Sequence, residues 1–134
     1  MDKNFKLSVI NTEYSTDYEK KTVTCKIQYK IKVSDDKMKQ TINSICKFID
    51  GSKYIGEVYT AEATANLHPD DVFDEHKGKQ VSRAKVESIV YNQVSSFFVR
   101  FHNWYVENMK EPMVNFVNKS VNIITHNEEY IETF

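Results

Sequence analysis

The sequence predicts an α+β fold in which a four-stranded antiparallel meander is followed by two C-terminal helices packed on it. Two observations carry this expectation. Apolar and polar residues alternate strictly through Val23–Val33, and after Pro69 the apolar spacing changes to three and four residues. A third agrees with them: glycine (3) and proline (2) are scarce, so most of the chain lies in regular elements.

The first strand is read from Phe5, Leu7 and Val9, and the polar run 11–21 as its hairpin connection. The second is the clearest element. Val23, Cys25, Ile27, Tyr29, Ile31 and Val33 mark a buried face, and Thr24, Lys26, Gln28, Lys30 and Lys32 a wet one. Such one-sided sheets are usually antiparallel. A third strand is expected over 38–49, with Met38, Ile42, Cys46 and Phe48 on one parity. Asp50-Gly51 is a hairpin cue, and residues 54–66 form the fourth strand with Gly56 as a bulge.

Beyond Pro69, Asp74 is placed to cap a long helix and Glu75 to sit at its positive end. Val86, Val90, Val94, Phe97, Phe101 and Trp104 give that helix an apolar stripe. Pro112 is expected to end it and to open a second helix carrying Met113, Phe116, Val117, Val121 and Ile124. The whole of 1–134 is read as a single domain, with sheet in 1–67 and helices in 68–134.

Composition excludes several classes of function. A net charge of -1 gives no global footprint for nucleic acid. No apolar run reaches the roughly 20 residues that span a bilayer, and the N-terminus has no signal-peptide core, so cytoplasmic residence is the default. In a reducing compartment Cys25 and Cys46 read as small buried hydrophobes. There is no glycine-rich phosphate loop or nucleophile elbow, and no cofactor is expected.

The stretch 68–76 gathers His68, Asp70, Asp71, Asp74 and His76, which invites a metal reading. Their spacing matches no ligand motif, and turn and cap formation account for the acids, so no metal is expected. The residues read as ligand-binding are Arg83, at the start of the apolar stripe, and Lys26, Lys30 and Lys32 on the wet face of the second strand. A helix over 75–106 would be about 48 Å long at 1.5 Å per residue. Val81, Val99 and Val106 lie off its main stripe, which predicts a homo-oligomer, a dimer first, built through them.

The span 48–88 resembles small proteins encoded by phages and mobile elements of low-GC Gram-positive bacteria. The residues carrying the likeness are Phe48, Asp50, Gly51, Asp71, Phe73, Asp74, Gly78, Arg83, Ala84 and Lys85. Within that group the pattern looks like the phage anti-Thoeris sponge proteins. The resemblance implies an N-terminal antiparallel sheet, C-terminal helices, an oligomeric arrangement and capture of a cyclic nucleotide signal. This chain departs from the pattern in its two long strands before the motif and its Trp/Phe-rich first helix. The resulting expectation is a non-enzymatic accessory protein that antagonises host antiviral defence by binding. It would sequester a nucleotide or dock on a defence protein such as a CRISPR effector. The alternative is a nucleic-acid-binding accessory protein that uses the lysine face.

Overall fold

The computed structural model of the protein describes residues 4–67 and 72–134. Its elements are β1 (Lys6–Asp17), β2 (Thr22–Lys32), α1 (Asp36–Cys46), β3 (Tyr59–Asn66), α2 (Glu75–Tyr105), a π-helical turn (Val106–Lys110) and α3 (Glu111–Glu132). The class is α+β, with an antiparallel sheet followed by C-terminal helices. The sheet has three strands rather than four, in the order β1-β2-β3. The chain divides into two compact units, Met1–Phe97 and Phe98–Phe134.

The missing strand is α1. Met38, Ile42 and Cys46 are four residues apart, a spacing that satisfies both a period of two and a period of 3.6. In a strand, Gln40 and Ser44 would share their buried face; in a helix they do not. Asp35 settles the choice by accepting a hydrogen bond from the Met38 amide at 3.1 Å, the N-cap of a helix. Asp50-Gly51 accordingly turns the chain after a helix instead of joining two strands, with Gly51 at φ +70°.

The loop behind α1 is held by side chains. Asn43 donates to the Ile55 carbonyl (3.0 Å) and accepts from its amide (2.8 Å), standing in for a missing strand partner. Gly56, at φ +91°, donates its amide to the Ile31 carbonyl at 2.9 Å.

β2 is the centre of the first unit. Val23, Cys25, Ile27, Tyr29 and Ile31 are buried on one face. At about 1.5–3 kcal/mol for each fully buried aliphatic side chain, this row is the main stabiliser of the sheet. β1 is longer than its apolar pattern suggests, because its inner face past the bulge between Val9 and Asn11 carries Thr12, Tyr14 and Thr16. Asp17 ends it, accepting from the amides of Glu19 and Lys20. β3 faces the same side with Ala61, Ala63 and Ala65, small residues that leave room above the sheet.

That room is filled by α2. Its buried residues are Gly78, Ser82, Val86, Val90 and Val94, an i+4 row that begins eight residues before the first apolar member, with Phe97 three residues further on. Such a row is inclined to the helix axis, so the buried face winds round the helix along its length. Asp74 accepts from the Lys77 amide at 3.1 Å, and its carbonyl takes the Gly78 amide.

Pro112 stands in the first turn of α3, as expected, but the chain does not leave helical geometry ahead of it. The backbone stays helical from α2 through the π turn into α3, and the Glu111 amide bonds back to Val106, five residues earlier. Proline in a helix clashes with the carbonyl four residues before it, and a widened turn just ahead of it relieves that crowding. No residue of α3 is buried.

One buried group in the first unit has no satisfied role. The Tyr29 hydroxyl is inaccessible and makes no hydrogen bond among the described residues. Leaving a buried hydroxyl unpaired costs about 1–3 kcal/mol. Tyr29→Phe is therefore expected to raise stability by about 1 kcal/mol in urea unfolding. A loss of stability instead would show that the hydroxyl is used.

Candidate functional site

The most developed polar site lies in the first unit, where β1 meets the first turns of α2. Four side-chain links join α2 to β1 and the turn that follows it. Arg83 donates Nη1–H to Thr12 Oγ1 at 2.9 Å. Thr16 and Tyr18 both donate to the Glu75 carboxylate at 3.0 Å. Lys79 Nζ lies 5.6 Å from the centre of the Tyr14 ring, within cation–π range. Between these links is an open groove of about 600 Å³ lined by Tyr14, His76, Lys79, Gln80, Arg83, Ala84, Glu87 and Ser88.

Helical spacing explains the helix side of the groove. His76, Gln80, Arg83 or Ala84, and Glu87 fall at three- and four-residue steps and so share one face. Gln80 Nε2 sits 3.3 Å from His76 Nε2, and Glu87 approaches Arg83 Nε at 3.9 Å. The strand side is Tyr14, whose hydroxyl pKa is raised, chiefly by burial and then by the neighbouring Cys25, with Arg83 opposing. Tyr18 is raised as well, first through its hydrogen bond to Glu75. The groove therefore holds two basic side chains, one carboxylate, an imidazole, an amide, a serine hydroxyl and a phenol. It can bind an anion.

The residues expected to bind ligand do not form one site. Arg83 reaches the inner side of β1, whereas Lys26, Lys30 and Lys32 stand on the outer face of β2. The register also removes much of the positive character expected there. Lys26 stands between Glu13 and Glu62, and Lys30 opposite Ser8; only Lys32 has a basic neighbour, Lys6. Opposite charges across a ladder pair with one another.

Of the valines expected to build an oligomer, Val81 is 39% exposed and belongs to the first unit, while Val99 and Val106 belong to the second. Val81 borders a smaller cleft of about 160 Å³ with Val23, Ala65 and Phe73, at the start of the winding buried row. Val99 is 60% exposed, and Val106 is half-buried in the π turn. Of the metal reading, His68, Asp70 and Asp71 lie outside the described residues. Asp74 is engaged in the helix cap and His76 in the groove. Both cysteines are free and buried, and burial pushes the Cys46 thiol up. No helix among the described residues is long and apolar enough to cross a membrane.

Thr12, Tyr14, Lys79, Gln80 and Glu87 are not apparent as site residues in the sequence. Thr12 and Tyr14 fall in a polar run that reads as a loop. The other three become legible only when the helix is projected on the face that carries Arg83. Comparison with protein-family models, with curated proteins and with solved structures finds no match for the chain.

Proposed function

We propose that this protein is a non-enzymatic binding protein whose β1/α2 groove takes a small phosphorylated ligand on Arg83 and Lys79. The observation that carries the reading is the tethering of Arg83. Thr12 fixes one edge of its guanidinium across the groove, and a pre-oriented guanidinium loses less freedom when it meets a phosphate. Lys79 supplies a second, mobile cation, and moving it to a phosphate frees the face of Tyr14 for a base.

The ligand class that fits is a nucleotide, and the sequence resemblance supports a cyclic one. On the same support, the protein is an accessory protein of a phage or mobile element that antagonises host antiviral defence by sequestering that signal. Docking on a defence protein is the other route by which binding would have this effect. The nucleic-acid reading is second, because Glu13 and Glu62 flank Lys26 on the face it requires.

Isothermal titration of the full chain with a panel of cyclic mono- and dinucleotides tests the reading. At least one is expected to bind, with affinity reduced tenfold or more by Arg83→Met and reduced also by Lys79→Met. Absence of binding to the whole panel, or binding indifferent to Arg83→Met, would falsify it. Duplex DNA bound at physiological salt and released by charge reversal at Lys26, Lys30 and Lys32 would favour the second reading, since phosphate contacts are salt-dependent.

A further inference from the structure

The second unit presents an apolar surface that the groove does not use. Every large apolar side chain of α3 is exposed, among them Phe116 (70%) and Ile131 (68%). Met113, Val117, Ile124 and Ile131 recur with Ser120 and Asn127 at alternating steps of four and three residues, a heptad seam. Phe116, Ile123 and Tyr130 flank the seam on one side and Val114 and Val121 on the other. At 100° per residue these positions cover about 200° of the helix circumference, whereas a two-stranded coiled coil needs only a narrow stripe. Together they expose on the order of 1,000 Å² per chain, compared with the roughly 800 Å² per partner that a stable interface buries.

We propose that α3 is a self-association helix, with its apolar half covered by the same helix of other copies of this chain. The opposite face argues for this occupant. It is made of Asn115, Asn118, Asn122, His126 and Glu129, and across the whole helix there are four glutamates and one lysine. A helix that lies on an anionic membrane carries lysine and arginine on its polar face. An acidic one is repelled there, and equally by nucleic acid.

Ser120 and Asn127 place polar groups within the seam, a device that fixes register between like helices at some cost in stability. The width of the face sets the stoichiometry. One neighbour would leave both flanks wet, so each helix needs two, as in a four-helix bundle. Glu128, Glu129 and Glu132 crowd the C-terminal end, so parallel chains would gather these three acids of every copy at one end and antiparallel neighbours would spread them apart. The inference is independent of any ligand in the groove.

Sedimentation velocity and native mass spectrometry of the full chain at tens of micromolar provide the test. An oligomer is expected, four chains being the stoichiometry the face predicts. Val117→Glu with Ile124→Glu should convert it to monomer, while Asn118→Glu with Asn122→Glu, on the polar face, should leave it assembled. Far-UV circular dichroism separates dissociation from collapse of the sheet unit. Its β signal should persist in the dissociated variant even if some helicity is lost. A wild-type monomer overturns the proposal, and so does an oligomer indifferent to the Val117/Ile124 pair. A monomer that sediments with zwitterionic vesicles also overturns it, and assigns the face to lipid.

Discussion

Gly78→Val is expected to lower stability by about 2–3 kcal/mol, the cost of overpacking a close contact. At Gly78 the helix backbone approaches β2 so closely that a Cβ would lie 2.5 Å from Val23 Cγ2. Val23 is only 1% exposed and β-branched, so it has little rotamer freedom with which to move aside. The sign of the smaller change is the sharper test. In an ordinary helix interior glycine to alanine gains about 1 kcal/mol. Here Gly78→Ala should lose stability, and combining it with Val23→Ala should cost less than the two separate losses added together. Urea midpoints for the four members of that cycle decide the matter. A stabilising Gly78→Ala would mean that helix and strand stand further apart.

The same close approach bears on the groove. Gly78 and Ser82 let the first turns of α2 sit low on the sheet, and that height brings Lys79 over Tyr14 and Arg83 to Thr12. A helix lifted by a larger residue at 78 would draw Arg83 off Thr12. Ligand affinity should therefore fall in Gly78→Ala even where the protein remains folded.

How much of this is legible in the sequence depends on whether apolar side chains mark the buried surface. β2 is plain because every inward residue is apolar. β1 is half legible: Leu7 and Val9 show, but Thr12, Tyr14 and Thr16 face inward to polar partners on α2, and no hydropathy pattern records that. The start of α2's buried row is hidden for a related reason, since Gly78 and Ser82 are buried for their small size. α1 reads as a strand because steps of four residues fit both periods. Pro112 reads as a helix stop, yet a single wide turn lets the helix run on. Arg83 could be singled out from its place on the helix, but its strand partner could not, because sequence spacing does not give the register between β1 and α2. The apolar face of α3 is fully visible in the sequence. What covers it is a property of more than one chain.

Phe97→Ala should produce the largest loss of all, about 3–5 kcal/mol, as for other buried phenylalanines cut to alanine. Phe97 is wholly buried and is the last buried residue of α2, so its removal leaves a cavity that neighbouring residues can fill only in part. The loss belongs to a single folded chain, so its size should not depend on protein concentration. Phe116→Ala makes the same chemical change at a residue that is 70% exposed in the isolated chain. If α3 is covered by other copies, that variant should also lower the thermal midpoint, and the loss should grow from nothing at concentrations where both proteins are dissociated to a plateau where both are assembled, because association stabilises by mass action. Thermal unfolding of both variants at 1, 10 and 100 times a low starting concentration separates core from interface. A Phe116→Ala variant that melts with the wild type at every concentration would place that side chain in solvent. A Phe97→Ala variant that loses less than about 1 kcal/mol would mean that the buried face ends at Val94.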